Sequence, residues 1–530
     1  MSSYSPAVNT PSVPPTKRSD GSFTRPGRLL FRRTWWTAFI GFFLVCAGWV
    51  LASPYDASPD EREHIIRAVG VARGEFAPKP EAAGGGTGAF QHVPASIVRD
   101  QCWWFDASKS AACAQPPGGD RTIERVATRA GRYNPVYYAL VGWPMAIWPN
   151  WLGLTLGRLI SAALVSALLA SAAHALVAWT RHRLAAAGLL VAVTPITLHL
   201  SGSINPNGFE IAAGVALIAA LIPTMLDPEQ PVRRAALVQI GIAGSVVMTL
   251  RALGPVWCVA ILGIMLIPAK RERLKQLLRF RPAWWAAAAL AVSGAAGALW
   301  TVAMKASEMM AVQVPPGITV PKAIRHEVIV RWPEYFIELV GVPSWLDTHL
   351  PGTAYYLWFM AIGCLVLPAL AFGAWSDRWR LFAFFLAPFA VITLSDALAA
   401  HKVGFAGQGR YMLPVAVGVP LLAAFVLGQR SKLDAARSAS LVRTVALVVL
   451  PLQLAFLGYT MIRWQAGVGT SVDHTPLNPL SGTWHPPAGS ATALLTGAAG
   501  CVVLGIWAWT STGRRAEAAG QERLAAVSAS

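Results

Sequence analysis

Long runs of apolar residues alternate with shorter polar segments along almost the whole chain. Twelve runs, of about 20 residues each, are long enough for a helix to cross the hydrocarbon core of a membrane. The pattern therefore predicts an all-α polytopic membrane protein with about 12 transmembrane helices. The predicted spans lie near 34–53, 154–179, 184–201, 207–226, 235–250, 255–269, 283–304, 353–374, 379–398, 411–429, 441–463 and 491–510.

Composition and charge agree with this prediction. The 530 residues are 55% hydrophobic and 13% charged, whereas soluble domains have about 45–50% and about 25%. An ordinary water-soluble enzyme is therefore excluded. The net charge is +18, but the Lys and Arg residues form short clusters between the apolar runs. We interpret them as topology signals and expect the lipid bilayer, not nucleic acid, as a partner.

Twelve spans place every basic cluster on one side of the membrane, which the positive-inside rule identifies as the cytoplasmic side. Both termini are then cytoplasmic. A polar N-terminal segment without apolar periodicity is expected to be disordered. The predicted organisation is a cytoplasmic tail (1–33), a transmembrane domain (34–510) with three large outer loops (the first, 54–153; the second, 305–352; the third, 464–490), and a second cytoplasmic tail (511–530).

The segment 136–149, VYYALVGWPMAIWP, is apolar but short and rich in Trp, Tyr and Pro. Counting it as a span would move the cluster Arg181 to Arg183 to the outer side. Short apolar segments with interfacial aromatics are typical of helices that lie in the membrane interface. We therefore expect a juxtamembrane helix that belongs to the first large loop.

Acidic residues follow the first span directly, in the sequence SPYDASPDEREH. Asp60 and Glu61 would lie at the boundary between water and lipid, at the start of a helix that also carries His64. Carboxylates at such a place can accept a proton from a hydroxyl or bind a divalent cation. They can equally serve only to cap the helix and keep the loop soluble.

Several charged residues lie within the apolar runs or at their outer ends. Such groups are costly at membrane depth unless they are paired or line a hydrated cavity. One interpretation is ion pairing of Glu210 with Arg158 or Arg251. The other is a cavity in which arginines bind a phosphate, because the guanidinium fork matches phosphate oxygens. The charged residues concerned are Arg158, Glu210, Arg251, Asp396 and Arg410, with His401 and Lys402 adding positive charge nearby.

Two of the six cysteines, Cys102 and Cys113, lie in the polar first large loop, whereas the others fall in apolar runs. A disulfide between them is expected if the loop faces an oxidising compartment. Free thiols are the alternative.

Six motifs, taken in chain order, resemble the domain of unknown function 2142 family of bacterial membrane proteins over residues 34–463. They are PDEREH, NPVYY, GRLISA, SGSINPNGFE, TLRALGP and GQGRYMLP. That family is similar to the GT-C superfamily, whose membrane glycosyltransferases take a sugar from a polyprenyl-phosphate donor. The resemblance implies a GT-C-like fold in a bacterial inner (plasma) membrane.

Position by position, the resemblance assigns Asp60 and Glu61 to the acidic motif of the GT-C enzymes. Asn134 to Tyr138 match a Pro-Tyr-rich helix start, and Arg410 lies in the Gly-Arg-Tyr element. Asn207 is a departure, because relatives often carry an Asp there. The catalytic candidates are therefore Asp60 and Glu61, which would also hold a divalent cation (Mg or Mn) if one is used. The substrate- and phosphate-binding candidates are His64, Arg158, Glu210, Arg251, His401, Lys402, Arg410 and Tyr411.

Three functions are compatible with these features. The resemblance favours a glycosyltransferase in which Asp60, or else Glu61, is the general base and Arg410 holds the leaving polyprenyl phosphate. Its acceptor would be a glycan or glycolipid of the cell envelope. A transporter or flippase would use the same charges as a substrate path, and a non-catalytic envelope-assembly protein would use none of them chemically. Sugar transfer, lipid translocation and rescue by an Asp60→Asn protein discriminate among the three.

Overall fold

The computed structural model describes residues 25–81, 88–180, 182–227, 230–308, 314, 317–469 and 477–512. They form an all-α polytopic membrane protein, as predicted. The helices are α1 Arg25–Ala52, α2 Glu61–Ala72, α3 Pro135–Val141, α4 Trp143–Ile147, α5 Trp151–Ala178, α6 Ala185–Ala192, α7 Pro195–Ser201, α8 Pro206–Leu226, α9 Arg234–Leu250, α10 Gly254–Leu266, α11 Arg271–Arg279, α12 Arg281–Ala303, α13 Val320–His326, α14 Trp332–Val340, α15 Pro343–Leu346, α16 Gly352–Phe372, α17 Trp375–Val403, α18 Leu413–Ala416, α19 Gly418–Arg430, α20 Ala435–Ala466 and α21 Ser490–Ser511.

All twelve predicted spans are helical, but not all are single long helices. Nine helical segments in the described chain are long and apolar enough to cross a membrane. The other three predicted spans are the pair α6 and α7, the 17-residue α9, and α10, which is followed by α11 at a bend of 120°. The pair α6 and α7 is interrupted at Thr194, the residue before Pro195, where proline disfavours continued helix.

The two predicted cytoplasmic tails lie largely outside the described residues. Helix α1 begins at Arg25, so it takes in the last part of the predicted N-terminal tail. The rest of that tail, residues 1–24, lies outside the described residues, as does the chain after residue 512.

The first large loop contains helices and one feature that the sequence analysis did not predict. Strands β1 (Ala89–Pro94) and β2 (Ile123–Thr128) pair antiparallel, with His92 opposite Arg125. The segment 136–149 forms α3 and α4, of seven and five residues, which are too short to span a membrane. They are separated at Gly142, where a Cβ atom would lie 2.0 Å from the carbonyl oxygen of Ala68 in α2. The close approach of α2 therefore needs a glycine there.

The two terminal spans, α1 and α21, pack along each other through glycines. A Cβ atom on Gly48 would come 2.8 Å from the Cα of Gly497, and one on Gly500 would come 2.5 Å from the backbone nitrogen of Val45. Small residues allow helix backbones this close in membranes, where packing itself stabilises association. In contrast, α12 exposes Trp285 and Val302, which are 78% and 76% exposed, as a helix facing lipid does.

Candidate functional site

Asp60 and Arg410 meet although 350 positions separate them in the chain. The Asp60 Oδ2 atom lies 3.3 Å from Nη2 of Arg410. The Arg410 side chain is almost completely buried, whereas that of Asp60 is 39% exposed. The site therefore presents a carboxylate to solvent and holds the guanidinium behind it.

Asp60 occupies an unusual backbone position at the start of α2. Its φ is 66° and its ψ is 10°, in the left-handed region, and its side chain does not cap the helix. Asp tolerates this conformation better than most residues, but such residues still cost of order 1–3 kcal/mol and cluster at functional sites. The capping role considered from the sequence is thus not the role of this carboxylate.

The side chain of Arg410 is positioned by its chain neighbours. Its Nε donates to Oε1 of Gln408 at 2.6 Å, and its Nη2 lies 3.3 Å from the hydroxyl oxygen of Tyr411. The guanidinium has a single contact with the Asp60 carboxylate, so much of its capacity to bind an anion is unused.

The backbone around Arg410 is held by α17 and by the second large loop. The Gly407 N–H donates to Oδ2 of Asp396 at 2.7 Å, and the Gly407 carbonyl accepts from Nη2 of Arg331 at 2.7 Å. The Gly409 N–H donates to Glu338 on α14. Sequence reasoning missed Arg331 and Glu338, because no local pattern links the second large loop to the segment before α18.

Glu327 and Asp396 lie beside each other under this backbone segment. The Tyr335 hydroxyl donates to Oε2 of Glu327 at 3.0 Å. Burial, together with the neighbouring Asp396, raises the pKa of Glu327 to about 7. One proton shared between the two carboxyl groups would remove their repulsion and keep Asp396 on the Gly407 N–H.

Arg251 provides a second cation next to Arg410. Its guanidinium lies over the ring of Tyr411, 4.3 Å from the centroid. Its ion pair with Glu210 is long, at 4.0 Å, and its side chain is 19% exposed. This is one of the two pairings considered for Glu210, and it leaves about a fifth of the arginine side chain exposed. Tyr411 thus lies between two guanidinium groups.

Glu61 and Arg158 form a different kind of pair. Two hydrogen bonds of 2.8 and 2.7 Å join them, and neither side chain reaches solvent. Glu61 also accepts hydrogen bonds from the N–H groups of Ala57 and Ile204, and Arg158 donates to the two carbonyl groups that follow α1 directly. Arg158 therefore pairs with Glu61 and not with Glu210, and it does not line an open cavity.

His64 lies behind Asp60 on α2. Its Nδ1 is 2.9 Å from the hydroxyl oxygen of Tyr138. Burial lowers the pKa of His64 to about 3, so the imidazole is neutral near pH 7. It can orient the first turn of α2 but does not offer a positive charge to a phosphate.

The sequence profile described as "Predicted membrane protein (DUF2142)" matches residues 43–419. The chain belongs to the DUF2142 family. This confirms the resemblance drawn from the six motifs, and the matched region contains Asp60, Arg251 and Arg410. No curated protein matches the chain.

Not every predicted residue of this DUF2142 protein joins the site. His401 and Lys402 lie in the last turn of α17 with exposed side chains, and neither has a hydrogen bond or ion pair within the described ranges. Gly404, with φ 71°, then turns the chain before it reaches Arg410. Closeness in sequence had suggested that these residues would add charge to the site, but no contact brings them there.

The predicted disulfide is present between Cys102 and Cys113 in the first large loop. It closes a loop in which the two cysteines are 11 positions apart.

The acids fit a divalent cation poorly. Each carboxylate oxygen of Glu61 already accepts two hydrogen bonds, one from Arg158 and one from a backbone N–H group. Asp60 alone remains, next to a guanidinium. Among the described residues, no three His, Cys, Asp or Glu side chains converge as metal ligands.

Proposed function

We propose that this protein is a membrane glycosyltransferase. It would move a sugar from a polyprenyl-phosphate donor to a glycan or glycolipid acceptor at the outer face of a bacterial inner membrane. The observation that carries the proposal is the contact between Asp60 and Arg410. An exposed carboxylate and a buried guanidinium at one point are the two groups that such a transfer needs.

The proposed reaction uses Asp60 as the general base. Its carboxylate accepts the proton of an acceptor hydroxyl while the hydroxyl oxygen forms a bond to the anomeric carbon of the sugar. The bond between that carbon and the phosphate oxygen breaks, and the polyprenyl phosphate leaves with the electron pair. Arg410, with Arg251 beside it, stabilises the charge of the leaving phosphate.

The contrast between the two kinds of ion pair supports this assignment. Arg410 and Arg251 have one-point pairings at 3.3 and 4.0 Å, which an incoming phosphate can replace. Arg158 is joined to Glu61 by a buried two-point pairing. If Arg158 left it, the buried Glu61 carboxylate would be an unpaired charge, which is strongly unfavourable. We accordingly assign Asp60, not Glu61, as the base, and we assign Glu61 and Arg158 to positioning α2.

The test is sugar transfer by Asp60→Asn protein in membranes supplied with radiolabelled polyprenyl-phosphate sugars. Loss of a general base typically lowers the rate by about 100-fold or more. Asp120→Asn is the matched control, because Asp120 is exposed in the same loop and its side chain accepts the N–H of Thr122, away from α2. Full transfer by the Asp60→Asn protein would remove the proposed base.

A transporter or flippase is the second candidate, favoured by the broken helix pair α6 and α7. Interrupted helices line substrate paths in many transporters. Here, however, the Val193 carbonyl at the break accepts a hydrogen bond from Nε2 of Gln453 at 2.7 Å, in a buried setting. Movement of fluorescent polyprenyl phosphate across proteoliposomes, without sugar transfer, would favour this second function.

A further inference from the structure

Three aromatic side chains from two separate loops form a cluster that is open to the surroundings. The ring of Trp345 lies 4.6 Å from that of Trp104 and 5.1 Å from that of Phe105, measured between centroids. Phe105 is 71% exposed. We call these three residues the aromatic cluster. An exposed ring that packs against a second ring, itself packed against a third, is a ready surface for another molecule.

The aromatic cluster is attached to the turn that leads to Asp60. Nε1 of Trp345 donates to the carbonyl oxygen of Asp56 at 2.9 Å. The side chain of Asp56 in turn accepts the N–H of Arg62 in the first turn of α2, at 2.8 Å. Asp60 lies between these two residues in the chain. A molecule held on the cluster is therefore held against the segment that carries the proposed base.

The two loops are fixed to each other by Arg463, whose side chain is fully buried at the end of α20. Its Nη2 donates to Oδ2 of Asp347 at 2.8 Å and to the carbonyl oxygen of Trp103 at 2.9 Å. The disulfide between Cys102 and Cys113 closes the loop that contains Trp104 and Phe105. The cluster is thus a preorganised surface, which binds with a smaller loss of conformational entropy.

Unfavourable backbone conformations concentrate at the same place. Six non-glycine residues of the described chain have positive φ. Three of them lie in the two segments that form the aromatic cluster, and a fourth accepts the hydrogen bond of Trp345. Each such conformation costs of order 1–3 kcal/mol, and these conformations cluster at active sites and ligand-binding sites. The four residues are Asp56, Phe105, Ser344 and Leu346.

The rim of the cluster is polar, which favours a sugar over lipid chains. Ser108 and Lys109 are exposed in the disulfide-closed loop. Lys109 forms an ion pair of 3.1 Å with Asp106, the residue next to Phe105. A surface immersed in hydrocarbon would not carry these groups. A sugar ring matches them, because it has an apolar face of C–H groups for an aromatic ring and hydroxyls at its edge for a polar rim.

We propose that the aromatic cluster binds a sugar residue of the acceptor glycan and so delivers the acceptor hydroxyl toward Asp60. The term acceptor rests on the proposed function, whereas the binding of a sugar ring does not. Phe105 stacks on the face of the sugar ring, Trp345 supports Phe105, and Trp104 packs against Trp345. The substrate class is thereby narrowed to an acceptor that already contains at least one sugar.

The experiment measures binding of neutral oligosaccharides to the full-length protein in nanodiscs by saturation-transfer NMR. Maltotetraose, cellotetraose and mannotetraose are the probes. Phe105→Ala is expected to weaken binding of the best probe about tenfold. The matched control is Phe76→Ala, because Phe76 is an aromatic residue of the same large loop that is 54% exposed and lies outside the cluster.

Loss of binding in Phe105→Ala, with Phe76→Ala unchanged, supports the proposal. Equal binding by both variants and the wild type overturns it and would favour a role of the rings in the lipid headgroup region. The outcome is separate from that of the proposed function, because the binding measurement needs neither a sugar donor nor sugar transfer. Transfer that depends on Asp60 but binding that does not depend on Phe105 would overturn this inference alone.

Discussion

Replacing Glu61 by Gln is expected to destabilise the protein by about 3–5 kcal/mol, the cost typical of breaking a buried ion pair. Glutamine keeps the shape of the side chain but removes its charge. The Arg158 guanidinium, which is buried and 2.7 Å from the carboxylate, would then be an uncompensated charge. Its other partners are backbone carbonyls, which cannot neutralise it.

The same substitution also affects two backbone groups. Glu61 uses one oxygen for the Ala57 N–H and the other for the Ile204 N–H, each at 2.9 Å. A glutamine amide has only one acceptor oxygen, so one buried N–H loses its partner, at a cost of about 1–3 kcal/mol. The two costs overlap because the groups share one side chain.

The assay is thermal unfolding of full-length protein in detergent, followed by the loss of the monomer peak on size exclusion. Glu61→Gln is expected to lower the midpoint by about 3–5 °C. Glu81→Gln is the matched control, because Glu81 pairs with Arg125 at 2.9 Å with both side chains exposed, a pairing worth about 0–1 kcal/mol. Equal midpoints for the two variants would refute a structural role of the Glu61 pair.

The site and its surroundings lead to three further predictions. Gly407→Ala would place a Cβ atom 2.6 Å from the Tyr335 hydroxyl oxygen and shift the Arg410 segment, so sugar transfer should fall by roughly 100-fold. Gly363→Ala is the control and should leave transfer unchanged, because a Cβ atom there has no other atom within 4 Å. Alkylation of the folded protein followed by mass spectrometry should label the two cysteines of the disulfide only after reduction, and labelling without reductant would contradict the bond. Burial lowers the pKa of His64 to about 3, so below about pH 6.5 the unfolded chain takes up a proton that the folded chain does not. Acidification should therefore lower the unfolding midpoint of the wild type more than that of His64→Gln, and parallel pH profiles would contradict this.

The sequence predicted the helices well because apolar runs of span length, in a chain this poor in charge, nearly always form membrane helices. The interruption at Thr194 was not predicted, although Pro195 gives a local signal for it. Helix α9 was counted as a span on hydropathy, and its 17 residues are at the lower limit of that length. The strands β1 and β2 were missed, because each has only six residues within a long polar loop.

Pairings between distant residues were harder to predict. Arg158 was considered as a partner of Glu210, but it pairs with Glu61, 97 positions away in the chain. No periodicity reports such a contact. Asp60 and Arg410 were grouped only by the predicted side of the membrane and by family resemblance, and the fold does join them. His401 and Lys402 were included for closeness in sequence, which the turn at Gly404 makes misleading.

The central claim is that Asp60 and Arg410 form one catalytic site. A double-mutant cycle tests it most directly, with sugar transfer from radiolabelled polyprenyl-phosphate sugars measured for wild type, Asp60→Asn, Arg410→Ala and the double variant in proteoliposomes. Each single variant is expected to lose roughly 100-fold or more, and the double variant should be no slower than the worse single variant, because residues that act as a unit are not additive. Wild-type rates in the single variants, or losses that multiply in the double variant, would contradict the claim.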